Sequence, residues 1–308
     1  MKNKKNIRIG TRGSLLALWQ TRWVAARLKE LEPGLEVDVR VIQTTGDKIL
    51  DAPLAKIGGK GLFVKEIEEA LLSGQVDLAV HSVKDLPTDL PEGLLLGAVP
   101  VREDPWDAWI AREGVPLDQL RSGARIGTSS LRRQAQLLRR RPDWEIVSLR
   151  GNLDTRLRKL SSEGLDGIVL AWAGLERMGW ADRVTEILPA EVCLPAIGQG
   201  ALGIEVRQDA EEEMPFLDCL NHPPSYQAVA AERAFLRRLG GGCQVPIAAL
   251  AEVQGDQLSL RGLVCSPRGD RWVSGKMGGK AGEAPALGQC LAERLLAEGA
   301  EAILEALL

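Results

Sequence analysis

A chain of 308 residues can bury more than one hydrophobic core, so two or three domains is the expectation. Its composition, 45% apolar and 26% charged with a net charge of −3, is that of a globular protein, and no apolar run approaches a membrane span. The start, MKNKKNIRIG, has no apolar signal core, so a cytoplasmic protein is expected.

The first strong signal is RIGTRGSL, residues 8–15. It ends a short β-branched strand, turns at glycine and opens a helix with Ser14 at the capping position and Arg12 beside it. LEVDVRVIQT is a second strand. AKIGGKGLF (55–63) is glycine-rich, like a lid with Lys60 at its tip, and lacks the GKS/T ending of a nucleotide loop. FVKEIEEALLSG is helical. VDLAVHS (76–82) is a strand introduced by aspartate, and it runs into HSVKDLP, where Ser82, Lys84 and Asp85 leave the sheet and Pro87 blocks a helix. One carboxylate beside one ammonium is either an acid/base device or a surface ion pair.

PVREDPWDAW (100–109) breaks the pattern, and then the pattern repeats. RIGTSSL (125–131) echoes the first motif one residue shorter, with Thr128, Ser129, Ser130, Arg132 and Arg133 at the helix start. WEIVSLRG follows as a strand, Arg150 and Arg156 flank the helix LDTRLRKLSSEG, and LDGIVLAW (165–172) is again a strand introduced by aspartate. Strands alternating with helices, twice over, predict two α/β lobes of mainly parallel sheet. CLPAIGQGALGIEV (193–206) ends in a strand able to return to the first sheet. Beyond it come a helix at 225–239, the bare turn GGGCQ, three antiparallel strands and a final helix at about 284–306. The expected fold is α/β: two lobes of the type II periplasmic-binding-protein kind with a cleft between them, plus a small C-terminal α+β domain. The first lobe would take 1–99 and 200–217, the second 104–194, and the third domain 220–308.

The five cysteines are odd in number and never spaced as CxxC, and there are only two histidines, so disulfide frameworks and metal sites are not expected. Charge is uneven: residues 121–160 hold eleven Lys or Arg against three acids. Such a block serves an anionic ligand or is a solvated face. Helix starts behind strands attract anions through free amides and the helix dipole, and arginine forks suit carboxylates. Capping alone needs one Ser or Thr and explains none of the arginines. For Arg139, Arg140 and Arg141 the solvated-face reading is the better one. A nucleic-acid binder is disfavoured because Trp144 is the only aromatic in the block.

TRGSLLALWQ, GGKGLF, HSVKDLPT, GTSSLRRQAQL, LRGNLDTRLRKL, LPAIGQGALGIE and GGGCQVPIA stand in the order and spacing of the hydroxymethylbilane synthase, or porphobilinogen deaminase, family. The chain resembles that family from residue 7 to the last helix. The resemblance implies a cytoplasmic monomer that joins four porphobilinogen molecules head to tail, each losing ammonia, with no nucleic-acid or membrane partner. It implies one dipyrromethane cofactor on a thioether at Cys243, which the glycines leave room for. Asp85 matches the catalytic carboxylate that stabilises a cationic azafulvene-like intermediate. Arg12, Ser14, Gln20, Lys60, Ser82, Lys84, Thr128, Ser129, Ser130, Arg132, Arg133, Arg150, Arg156 and Gln199 match positions that bind cofactor or substrate. Trp106, Trp109, Trp172 and Trp180 depart from many relatives and are assigned to packing, with Trp172 near a sheet end. The rival reading is a two-lobed binding protein for anionic small molecules, which would need neither Cys243 nor the third domain.

Overall fold

The structure, a computed structural model, describes residues 6–48, 61–241 and 245–307, apart from the side chains of residues 48 and 211–213. Two expected site residues, Lys60 and Cys243, lie outside the described residues, as does most of the expected lid.

Thirteen strands are described, in three sheets. The first sheet holds β1 (Asn6–Thr11), β2 (Glu36–Val41), β3 (Leu78–Ser82), β4 (Leu94–Ala98) and β10 (Leu202–Arg207), in the order β2-β1-β3-β10-β4. The second holds β5 (Asp107–Ala111), β6 (Arg125–Gly127), β7 (Glu145–Val147), β8 (Gly167–Ala171) and β9 (Glu186–Leu188), in the order β7-β6-β8-β5-β9. The two orders are the same fold written twice, with β6 in the place of β1, β7 of β2, β8 of β3 and β9 of β4. In each sheet the antiparallel member is the strand that follows a crossing of the chain, β10 in one and β5 in the other.

The sequence echo has a physical cause in both lobes. Ser14 caps the helix Leu15–Leu31 by accepting from the Ala17 N–H, and Ser130 caps Leu131–Arg140 by accepting from the Arg133 N–H. The aspartate that introduces the third strand is part of the same repeat. Asp77 accepts from the Arg8 N–H at 2.8 Å, and Asp166 accepts from the Arg125 N–H at 2.7 Å. Each aspartate thereby pairs a backbone donor of its lobe's first strand, a group that would otherwise lack a partner.

Two compact units result. One is the chain up to Glu103 with Ala201–Tyr226, and the other is Asp104–Gly200 with the chain from Gln227 onward. The second unit contains both the second lobe and the third sheet, β11 (Ile247–Gln254), β12 (Gln257–Cys265) and β13 (Trp272–Lys280). The start of β11 is buried on both faces, which explains the nearly continuous apolar run in VPIAALAEV. Ala249, Ala251, Leu258 and Leu260 pack with Phe235 and Leu291 of the helices Pro223–Arg238 and Ala284–Leu295. The alternate residues Ala248, Leu250 and Leu263 pack with Ala135 and Leu194 of the lobe. Gly269 completes the docking. It takes a positive φ of 69° and lies against the Ala135 carbonyl, while Arg139 donates to its own carbonyl at 3.3 Å. The final helix is interrupted where the sequence reading has it continuous, because Gly299 adopts φ 109°.

The tryptophans assigned to packing pack. Trp109 is fully buried and donates from Nε1 to the Val115 carbonyl, and Trp106, Trp172 and Trp180 lie against apolar clusters. A Cβ at Gly167 on β8 would overlap the Trp109 ring. Gly167→Ala should therefore lose roughly 1–3 kcal/mol of stability through overpacking, read from urea unfolding. An unchanged midpoint would mean that the ring has room to shift.

Candidate active site

In the first unit the ends of β1 and β3 meet at a small cavity of about 50 Å³. Arg12, Ser14, Gln20, Ser82 and Asp85 line it, together with Phe63 and His81. Gln20, buried in the helix Leu15–Leu31, donates to the Ser82 hydroxyl at 3.0 Å and so ties that helix to the end of β3. Asp85 closes a single 3₁₀ turn, Val83–Asp85, and is exposed, with no cation paired to it among the described residues. Lys84, its neighbour, is half-buried. The ion-pair alternative for HSVKDLP thus does not describe Asp85 here.

Arg12 has partners that the sequence reading missed. Its guanidinium grips the Asp47 carboxylate and lies over the Phe63 ring, 4.2 Å from the centroid. Burial alone would raise the Asp47 carboxyl, but the hydrogen bonds and charge of Arg12, with Thr44, hold it below the usual range. Phe63 ends the GGKGLF motif and could have been found there. Asp47 carries no such signal.

In the second unit the donors cluster around the start of the helix Leu131–Arg140. Ser129 bonds the Leu149 carbonyl at 2.7 Å, and the Thr128 hydroxyl accepts from the Ser130 N–H. Arg156 donates to the Gly151 carbonyl, and Arg150 is half-buried with a buried Nη1 lacking an acceptor among the described residues. Arg132 and Arg133 are only 5% exposed, and both point at a carboxylate of this chain, Asp107. Arg132 reaches it from Nη1 at 2.7 Å, and Arg133 from Nη2 at 2.7 Å. Arg133 also donates to the Val169 carbonyl and Arg132 to that of Leu194. The Gln199 amide adds a bond to Asp107 at 2.9 Å and another to the Pro105 carbonyl, and the Cys193 thiol adds a third at 3.1 Å.

Burial would push the Asp107 carboxyl up, but the charges and hydrogen bonds of the two arginines outweigh it and hold it far below the ordinary range. The Cys193 thiol is pushed up by burial and then by Asp107, so it stays protonated and donates. An acid inside the apolar strand DAWIA was the signal for this network, because a buried charge needs a partner. Two guanidiniums against one carboxylate leave one net positive charge, and Arg132 Nε has no acceptor among the described residues.

Fold and site define an α/β protein with an arginine-bearing, serine-capped helix start in each lobe and an exposed aspartate at a strand end. Comparison with known proteins narrows this. The family model "Porphobilinogen deaminase, dipyromethane cofactor binding domain" matches residues 7–214, and "Porphobilinogen deaminase, C-terminal domain" matches 226–297. The chain belongs to the porphobilinogen deaminase family. It is 57% identical over 300 residues to the porphobilinogen deaminase of Geotalea uraniireducens, covering 97% of this chain and 94% of that one. It is 55% identical to that of Pelotomaculum thermopropionicum over 302 residues, 98% and 97% of the two chains. Among solved structures, the periplasmic aliphatic sulphonate binding protein SsuA from Escherichia coli is similar at 14% identity and a TM-score of 0.41, over 76% of this chain and 70% of that one.

Asp107→Asn should cost roughly 3–5 kcal/mol, since it leaves two buried guanidiniums without their counter-charge. A depressed carboxyl contributes its stability above the unfolded pKa and loses it only as pH falls through the folded value. The deficit of the variant, read from urea unfolding, should therefore be the same at pH 5 as at pH 7. A deficit below 1 kcal/mol would show that the arginines do not depend on Asp107.

Proposed function

We propose that the chain is a hydroxymethylbilane synthase, a transferase that condenses four porphobilinogen molecules head to tail with loss of ammonia. What carries this reading is the cavity at the ends of β1 and β3, where an exposed carboxylate, Asp85, stands beside a guanidinium, Arg12. The substrate asks for both. Each pyrrole bears an acetate and a propionate, which arginine forks bind, and departure of ammonia leaves a cation, which a carboxylate stabilises.

The described donors fit the dipyrromethane that the family carries. The buried N–H groups of Arg150 and Arg132 that lack acceptors, and the net positive charge of the Asp107 network, suit acetate and propionate side chains. Ser129, Ser130, Arg132, Arg133, Arg150 and Arg156 would hold that group, with Thr128 shaping the turn and Gln199 setting Asp107. Tethered through Cys243, that group would supply the free pyrrole carbon on which the product chain is built, and Lys60 matches a family position that binds it.

The residues of the first unit act on porphobilinogen itself. Arg12 and Ser14 hold its carboxylates, with Arg12 exchanging Asp47 for the substrate. Gln20 fixes Ser82, and Lys84 adds positive charge at the rim. Asp85 faces the centre that becomes cationic as ammonia leaves, and its fixed charge stabilises that centre more than the neutral ground state.

The enzyme is read as a cytoplasmic monomer without nucleic-acid or membrane partners. No described helix is long and apolar enough to cross a membrane. Much of the basic block is also spent internally. Asp107 takes Arg132 and Arg133, while Asp166, Asp143, Asp154 and Glu163 take Arg121, Arg141, Arg158 and Lys159. A phosphate backbone would find few of these cations unpaired.

Purified protein given porphobilinogen should release ammonia and form hydroxymethylbilane, and Asp85→Asn should slow a single turnover by about a hundredfold or more, near 3 kcal/mol of transition-state stabilisation, with little change in binding. Normal turnover by the variant would remove Asp85 from the chemistry. No product from the wild-type protein would remove the assignment.

A further inference from the structure

Behind the Asp85 cavity lies a group of ionisable side chains that this mechanism does not use. His81 on β3 and Glu205 on β10 meet at 3.0 Å between Nε2 and Oε2, with side chains 3% and 0% exposed. The contact lies off hydrogen-bonding alignment. Among the described residues neither Glu205 oxygen nor His81 Nε2 has a hydrogen-bond partner. The helix Lys65–Leu72 packs over the same two strands and brings Glu68, itself buried and with an Oε1 that also lacks a partner.

Among the described residues no other charged side chain forms an ion pair with these three groups. The remaining charged side chains on the surrounding elements are engaged elsewhere. Lys65 pairs with Glu69, Arg207 donates to the carbonyls of Leu71 and Val76, Arg8 pairs with Asp77, and Glu66 accepts from Thr45. β4 carries no charged side chain, and Lys84 and Asp85 lie on the turn that leaves β3. Two buried carboxylates beside one imidazole cannot both ionise without leaving an uncompensated buried charge.

His81 also stands at a mechanical junction. It lines the cavity and immediately precedes Ser82, which Gln20 holds, and the next residue, Val83, donates to the Ala201 carbonyl just before β10. The His81–Glu205 pair therefore clamps the end of β3 to β10 at the root of the Asp85 turn. We infer that His81, held against Glu205 with Glu68 packed beside them, is the positioning residue for the Ser82–Asp85 turn. The inference rests on the catalytic reading of Asp85. Ionisation of Glu68 would set a second carboxylate charge against the same imidazole and loosen the clamp.

The Glu68 carboxyl agrees with this role. Burial first, and then Glu205, push it up to about 7, with His81 pulling the other way. A carboxyl raised on folding contributes full stability below its unfolded pKa, and that contribution is lost as pH rises through the folded value. Glu68→Gln is a permanently neutral copy of the protonated acid. In the cofactor-loaded protein it should move the alkaline limb of the pH–kcat profile, near pH 7 in the wild type, upward by about one unit or more. It should raise Tm at pH 8.5 and much less at pH 5. His81→Gln should lower kcat about tenfold or more while KM for porphobilinogen stays within about threefold. An alkaline limb and a Tm–pH dependence unchanged by Glu68→Gln would overturn the inference, as would a His81→Gln defect lying in KM. If His81→Gln does not fold, the Glu68→Gln comparison still decides. A wild-type protein inert toward porphobilinogen would fail the functional reading instead, with the Tm comparison still testing the cluster.

Discussion

The second unit depends on one buried carboxylate. Asp107 sits in the middle of a sheet, where a charge would ordinarily be intolerable, and it is stable there only because Arg132, Arg133, Gln199 and Cys193 converge on it. Those four residues come from the helix Leu131–Arg140 and from the segment that leads back to the first lobe. A single anion thus fixes the helix start, the return of the chain and the orientation of the donors around Thr128–Ser130. Because two cations answer one anion, the network is also left attractive to a further carboxylate.

That arrangement changes what the arginines mean. A guanidinium on a solvated face contributes little to stability, whereas one locked against a buried acid has its geometry set before any ligand arrives. Arg132 and Arg133 are of the second kind and Arg158 of the first. In the first unit the same logic operates on Arg12, whose direction is set by Asp47 and Phe63. Acetate and propionate groups are numerous and flexible on a growing pyrrole chain, and rigid donors lower the entropic cost of ordering them. The third sheet follows a related rule, since burying both faces of β11 at its start binds the C-terminal domain to the second lobe.

Much of this was legible in the residues. The repeat RIGTRGSL/RIGTSSL marked two equivalent strand-to-helix turns, because a capping serine and a glycine at a strand end have few other uses. The aspartates of VDLAV and LDGIV marked strand starts, and the structure adds the reason, a backbone donor each one satisfies. Local signals of that kind survive in sequence. Asp107, Asp47, Glu68 and Glu205 were not identified because their partners lie far along the chain, and nothing near them says which charge they answer. The acid within DAWIA and the acid within GIEV are the visible traces, each a charge at a position where an apolar side chain belongs. The continuous last helix was misread because Gly299 looks tolerable in a helical pattern until its φ is known. Lys60 and Cys243 lie outside the described residues, so their roles rest on the family resemblance.

The central claim is that this chain builds a linear tetrapyrrole on a pyrrole anchor covalently bound to Cys243. Intact-protein mass spectrometry of the purified chain tests it most directly. The mass should exceed that of the polypeptide by one dipyrromethane, the addition should map to the peptide containing Cys243, and porphobilinogen should then add further units in sequence. A fully active protein with the mass of the bare polypeptide would contradict the account.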